Sequence, residues 1–274
     1  MPAALYLVAT PIGNLEDITV RALRILKDEV DRIACEDTRH SRKLLDRYGI
    51  EKPLVSYHQH NERERGEELL AALRAGERIA LISDAGTPLI SDPGYRLVAA
   101  AAAAGIAVIP IPGASAILTA LCASGLPTDA FAFGGFLPPK QGQRRKALES
   151  WAESPATLVF YEAPHRILDA LDDVGAVLGE RPVVLARELT KMHEEFLRGT
   201  ARQVRDQLNI ANTRGEMVLL IGRGAAAAIR DDRPLPEAVA DAIRGGMERM
   251  DAIKHIARQR GLSKREVYQA VTYS

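Results

Sequence analysis

Hydrophobic positions along this chain fall into two alternating patterns from the N-terminus onward: short, nearly continuous apolar runs, and stretches spaced as on a helix. Ala4–Ala9 (ALYLVA) reads as a strand, followed by a helix over Thr19–Val30 with Asp17 or Thr19 as its cap. Arg32–Glu36 (RIACE) is a second strand. The helix after it has Thr38 as a possible cap, Leu44, Leu45 and Tyr48 on its apolar side, and Gly49 as its stop. Leu54–Tyr57 is a third strand, and the charged helix through EELLAALRAG ends at Gly76. Arg78–Ser83 (RIALIS) has the continuous apolar character of a parallel strand buried on both faces. Ala107–Ile111 and GASAILTALCASG add one more strand and helix. Such alternation predicts an α/β fold with a parallel sheet.

The texture changes after FAFGGF. Leu137–Lys146 (LPPKQGQRRK) has two prolines, four basic residues and little apolar content, so it reads as an exposed loop at a domain boundary. A second α/β set follows, with strands in ATLVFYEA, RPVVLARE, EEFLRGT and GEMVLLIG and helices in HRILDALDDVGAVLG and ARQVRDQL. AAAAIRDDRPLP reads as a linker. The expected division is therefore an N-terminal α/β domain over 1–136, a second over 137–224 and a helical tail over 236–274. In that tail Ile253, Ile256 and Ala257 precede a Gly261 stop and a Ser263 cap, and Val267 and Val271 mark a second short helix. The pattern is helix-turn-helix-like, with Arg258, Arg260, Lys264 and Arg265 clustered at the turn where phosphate would be met.

Composition narrows the classes. With 274 residues, 47% of them hydrophobic and 26% charged, the chain is an ordinary globular protein with room for two cores. Its formal net charge of zero removes any bulk electrostatic argument for nucleic-acid binding and leaves only local patches. Cys35 and Cys122 sit in apolar runs and read as small buried hydrophobes, with no disulfide framework. The start of the chain lacks a basic n-region and no apolar stretch reaches about 18 residues, so a cytosolic, non-membrane protein is expected. The six histidines are scattered, and no Cys/His spacing suggests a metal.

Candidate chemistry concentrates where strands run into helices. Ile82–Gly94 (ISDAGTPLISDPG) follows one strand. In its second half Ser91 or Asp92 would cap the next helix, Pro93 would fit the first turn, and Gly105 would end it. In the first half, Asp84, Ala85, Gly86 and Thr87 offer a carboxylate and small residues against which a ligand can lie. IPGASAIL, with Gly113–Ala116, and VATPIGNLEDIT share this small-residue design, and their convergence favours a ligand cleft at the carboxyl ends of the strands. There is no P-loop, and no G-x-G-x-x-G follows the first strand.

LVATPIGNLEDIT, CEDTRHSRKLL, LISDAGTPLISDPG, PIPGASA, FYEAPHR and RELTK occur in this order across nearly the whole chain. Together they closely resemble the small-subunit ribosomal RNA 2′-O-methyltransferases of the I type, within the tetrapyrrole methylase superfamily. The resemblance implies two α/β domains with S-adenosylmethionine in the cleft between them, a homodimer, and methylation of a cytidine ribose in the decoding region of 16S rRNA. The usual G-x-G-P-G-like first loop is replaced here by Thr10–Asn14, as in the ribosomal branch. Carried over by position, the implied cofactor contacts are Ile12, Asp84, Thr87, Ser115, Ala116, Tyr161, Ala186, Glu216 and Met217. For a general base or an alkoxide-stabilising cation the candidates are Glu188 with Lys191 first and then Glu162, with Glu36, Asp37, His165, Arg166 and Arg187 in the same motifs. A tetrapyrrole methyltransferase of the same fold and a non-catalytic RNA-binding module are the competing readings.

Overall fold

The computed structural model describes residues 2–208, 213–224, 233–260 and 262–272. Among these the strands form two five-stranded sheets followed by a helical tail. The first sheet is built from β1 (Ala4–Val8), β2 (Arg32–Cys35), β3 (Leu54–Ser56), β4 (Arg78–Ile82) and β5 (Ala107–Ile111), all parallel, in the order β3-β2-β4-β1-β5. β1 and β4 lie at its centre, and their continuous apolar sequences are buried by helices on both faces. α1 (Val20–Arg24, continued as a π turn over Ile25–Glu29) and α2 (Thr38–Arg47) cover one face. The opposite face is covered by α3 (Glu62–Arg74) and α4 (Tyr95–Ala103).

Capping differs in detail from the sequence reading. Thr19 caps α1 as expected, accepting from the Ala22 amide at 3.1 Å. The cap of α2 is Asp37 rather than Thr38: its carboxylate accepts from the Arg39 amide at 2.8 Å and so occupies the place expected of the hydroxyl. Ser91 and Asp92 do not cap α4, which starts at Tyr95 after Gly94 at a φ of 137°. Asp92 instead turns back to bond the Ser83 hydroxyl, which frees it for the site described below.

α5 (Ala116–Ser124), capped by Ser115, carries the chain to the second sheet and packs Ile117, Ala120 and Leu121 against it. That sheet is formed by β6 (Phe131–Phe136), β7 (Thr157–Glu162), β8 (Val183–Arg187), β9 (Glu195–Gly199) and β10 (Met217–Ile221), in the order β6-β7-β10-β8-β9. β6 and β7 are parallel and the other pairs antiparallel. α6 (Gln141–Ser150), α7 (Ile167–Leu178) and α8 (Ala201–Gln207) cover the face away from α5.

Two expectations change here. The second sheet begins with β6 at Phe131, ahead of the boundary read at 136/137; the glycine pair in FAFGGF hides the strand, and Gly134 is required because a Cβ there would meet the Phe160 ring at 2.2 Å. The basic run Leu137–Lys146 is not simply a loop, because α6 starts at Gln141 and turns Arg144 inward. A buried arginine is tolerable only with a partner, and Asp173 of α7 supplies it at 2.7 Å while also binding Arg145 at 2.6 Å. Cys35 is buried as expected, whereas Cys122 is exposed on the outer side of α5.

The tail contains α9 (Leu235–Arg244), α10 (Arg249–Arg260) and α11 (Lys264–Thr272), packed on one another around Val239, Ile253, Ile256 and Val267. Ser263 and Glu266 form reciprocal hydrogen bonds that open α11. Gly261, the Arg258 side chain and most of the expected linker, 225–232, fall outside the described residues. No helix among the described residues is long and apolar enough to cross a membrane.

Candidate active site

The carboxyl ends of the first sheet face the second sheet across a cleft of about 410 Å³. Its first wall is the loop after β4. Thr10 and Gly86 exchange backbone hydrogen bonds at 2.9 and 3.0 Å, which lays the first loop along this one and brings Ile12 against Gly86. Gly86 has a φ of 83°, a conformation that favours glycine. Thr87 donates to the Ala114 carbonyl at 3.2 Å and so ties the loop to the start of α5, where Ser115 and Ala116 complete the wall.

This wall is anionic. Asp84 accepts from the Asp37 amide through Oδ1 at 3.1 Å, and Asp92 lies on the same wall. Burial pushes the Asp92 carboxyl above its ordinary range, the Ser83 hydrogen bond opposes this, and the charge of Asp84 adds to the rise. Burial likewise raises Glu36, and the charges of Asp84 and Asp92 add to the rise. Carboxylates crowded in this way raise one another's cost of ionisation, and a cation bound among them would offset it.

The second wall is aromatic and apolar. Tyr161, at the end of β7, packs edge-on to Phe133 at 5.0 Å between ring centres and lies 5.5 Å from Phe136. Its phenol is pushed up to about 12 by burial, then by Asp92 across the cleft and by Glu216. Met217 enters from β10, and Leu189 from the turn after β8.

Glu162 lines the same cleft, and its side chain is fully buried. Oε1 accepts from the Ala163 amide at 2.8 Å and from Arg166 through Nε at 2.8 Å and Nη2 at 2.5 Å. Oε2 has no partner among the described residues. A buried carboxylate oxygen left unsatisfied costs about 1–3 kcal/mol or more, so it marks a place where a donor belongs.

Of the residues singled out from sequence, Ile12, Asp84, Thr87, Ser115, Ala116, Tyr161, Glu162, Glu216 and Met217 are brought together around this cleft. Ala186 is not: it sits mid-strand in β8 opposite Val218, wholly inside the core between α5 and the sheet. Glu188 and Lys191 lie behind the rim formed by Leu189 and Glu216. Lys191 Nζ is 3.0 Å from Glu188 and 3.3 Å from Glu216, while Glu188 also accepts from the Glu216 amide at 3.2 Å. Although burial works against both charges, the Lys191 hydrogen bond carries Glu188 below the usual carboxylate range, and Glu188 with Glu216 carries Lys191 above the usual lysine value. The turn that holds them is strained, with φ of 50° at Glu188 and 65° at Thr190. Asp92 and Phe136 are cleft residues that the sequence reading missed, the first because SDPG resembles a cap and the second because FAFGGF conceals a strand. No cluster of metal-ligating side chains occurs among the described residues.

Comparison with known proteins accords with this geometry. The model of the tetrapyrrole (corrin/porphyrin) methylases matches residues 4–205. A ribosomal RNA small subunit methyltransferase I from Halalkalibacterium halodurans is 51% identical over 270 residues, covering 96% of this chain and 93% of its own. Its counterpart from Synechocystis sp. is 49% identical over 97% of this chain and 96% of its own. The structure of a uroporphyrin-III C-methyl transferase from Thermus thermophilus, complexed with S-adenyl homocysteine, covers 80% of this chain and 97% of its own at a TM-score of 0.55 and 21% identity, a likeness of fold. The two-sheet architecture, the cleft at the carboxyl ends of the first sheet and identity along almost the full length together mean that this chain belongs to the tetrapyrrole methylase family, in its ribosomal RNA small subunit methyltransferase I branch.

Proposed function

We propose that this chain transfers a methyl group from S-adenosylmethionine to the ribose 2′-hydroxyl of a cytidine in the decoding region of 16S rRNA, acting on the small ribosomal subunit as a cytoplasmic homodimer. The observation that carries the reading is the pairing, across one cleft, of the Asp84 and Asp92 carboxylates with the Tyr161 ring. The cofactor is a sulfonium and an ammonium joined to a flat heterocycle, and the donor set matches it. Asp84, with Oδ1 engaged by the Asp37 amide, would offer its other oxygen to the ammonium. The small side chains of Ser115 and Ala116 and the Met217 segment admit the adenosine.

S-adenosylmethionine supplies a methyl group already activated on sulfur, so the chain's task is chiefly placement, worth about 7–11 kcal/mol in well-oriented systems. A ribose hydroxyl must also lose its proton. Glu162 is suited to accept it: it lines the cleft, Arg166 fixes its orientation through Oε1, and Oε2 is unengaged. Lys191 remains an ammonium between Glu188 and Glu216 and steadies the rim electrostatically, so it does not serve as the base.

The test is to incubate the protein and a labelled methyl donor separately with small subunits, deproteinised 16S rRNA and porphyrinogens. Label on a ribose 2′-oxygen of a decoding-region cytidine is the expected result. Label on a porphyrinogen alone, or no turnover with any substrate, overturns the reading.

A further inference from the structure

The first helix beside the anionic wall carries charge of the opposite sign. α2 turns Ser41, Leu44 and Leu45 into the core and leaves Arg39, His40, Lys43 and Arg47 exposed. Arg39, Lys43 and Arg47 recur every fourth residue, so they form one stripe about 12 Å long on the helix surface. Asp46 is the one acidic residue within α2. Lys43 and Arg47 have no ion-pair partner among the described residues, and Arg39 reaches only its own cap, Asp37, at 3.4 Å with its side chain 90% exposed. An exposed, solvent-screened pair of that kind is weak and exchanges readily for a phosphate.

Position gives the stripe its meaning. The Asp37 amide donates to Asp84, so the start of α2 is one hydrogen bond from the cleft wall, and the stripe runs outward from there. The far end is fastened by the Tyr48 hydroxyl, which donates to the Leu15 carbonyl at 2.6 Å. A helix held at both ends presents its cations without reordering. By contrast, two of the basic residues in Leu137–Lys146, Arg144 and Arg145, are consumed by Asp173. In a chain with no net charge, a row of exposed cations, two of them without an ion-pair partner among the described residues, leading from the reaction cleft is a local concentration that an RNA strand would complement.

We propose that Arg39, Lys43 and Arg47 dock consecutive phosphates of the rRNA strand next to the nucleotide being methylated. The inference rests on the proposed rRNA substrate and adds where that strand lies and which residues position it. These residues hold the strand and do not touch the reacting atoms.

The experiment compares the full-length protein with its Arg39→Gln/Lys43→Gln/Arg47→Gln variant. Binding is measured to unmethylated small subunits and to deproteinised 16S rRNA between about 50 and 200 mM KCl. Loss of three single-strand phosphate contacts should make the slope of log K against log salt shallower by about 2, so that salt weakens the variant about twentyfold less over this range. Melting behaviour, S-adenosylhomocysteine affinity and the single-turnover rate at saturating RNA should stay at parent values while half-saturation rises. An Arg63→Gln/Arg74→Gln variant on α3, which lies on the other face of the sheet, should keep the parent slope. An unchanged slope in the α2 variant, an equal change in the α3 variant, or a loss confined to subunits and absent with naked RNA would each overturn the proposal, the last by assigning the stripe to an acidic ribosomal protein. If the parent methylates RNA in the same series, such a failure leaves the rRNA reading intact. A parent that neither binds nor methylates RNA overturns both.

Discussion

The proposed function gives each oxygen of Asp84 a different task, and a conservative substitution separates them. Asp84→Asn keeps an acceptor for the Asp37 amide and removes the charge proposed to meet the cofactor's ammonium. A charge-assisted contact is worth about 1.5–3 kcal/mol, so the variant should bind S-adenosylmethionine about 10- to 150-fold more weakly with unchanged melting. Titration calorimetry decides the matter, and equal dissociation constants would remove Asp84 from the ammonium site. Glu162→Gln tests the proposed proton acceptor in the same spirit. Its volume is retained but its basicity is lost, and general-base catalysis is typically worth about 10²–10⁴ in rate. Single-turnover methylation should fall within that range while cofactor affinity changes by no more than a few-fold; a loss smaller than tenfold would move the base elsewhere. Both residues stand out in the motifs as carboxylates at or just after the ends of strands. Which oxygen is free, and which is held by Arg166, is decided by contacts between residues that the one-dimensional pattern does not pair.

At the scale of elements, α6 shows why charge patterning misleads. A run with four basic residues reads as solvated, yet α6 buries Arg144 because α7 places Asp173 opposite it. Removing one partner of a buried ion pair typically costs about 3–5 kcal/mol, since the other charge stays behind. Asp173→Asn should therefore destabilise the chain by about that amount in denaturant unfolding, and a change below 1 kcal/mol would mean that Arg144 finds water instead. Burial on its own would raise Asp173, but hydrogen bonds from Arg145 and Arg144 outweigh it and hold the carboxyl below its ordinary range. A depressed folded-state value stabilises the protein above the unfolded carboxylate range, about pH 3.9, and that contribution is lost as pH falls toward the folded value. The parent should accordingly lose stability on acidification below about pH 4 more steeply than the variant does, as followed by circular dichroism. The turn containing Glu188 and Thr190 makes the same point for backbone. A Cβ on Gly215 would meet Glu188 Oε1 at 1.9 Å, so that glycine serves a neighbour 27 residues away in the chain (215 − 188).

For the whole molecule, the question is how the catalytic body and the tail divide the work. The cleft is complete without α9–α11, whose cores are built from their own residues. A chain ending at Gly224 should keep its affinity for S-adenosylmethionine. It should lose affinity for small subunits, with the full-length protein showing the steeper salt dependence because Lys264 and Arg265 are exposed at the start of α11. A shortened chain that methylates subunits with an unchanged salt slope would remove the tail from the RNA surface and leave α2 and the cleft rim.

What the sequence by itself determined was the kind and order of the elements in the first half and the junctions that line the cleft. The parallel strands announce themselves as continuous apolar runs, because both of their faces are buried by helices. The junction loops announce themselves through Gly, Pro, Asp and Ser, because the backbone conformations there admit few other residues. Tertiary structure alone decided the rest. It made β6 an edge strand of the second sheet, turned Asp92 from a presumed helix cap into a wall of the cleft, left Ala186 in the core, and set Glu188 and Lys191 behind the rim. Each of these outcomes depends on a partner outside the residue's own element or turn: β7 for β6, Ser83 just after β4 for Asp92, Val218 for Ala186 and Glu216 for Lys191. Local pattern records how a residue sits on its own element, whereas burial and pairing are set by the surface that folding brings against it.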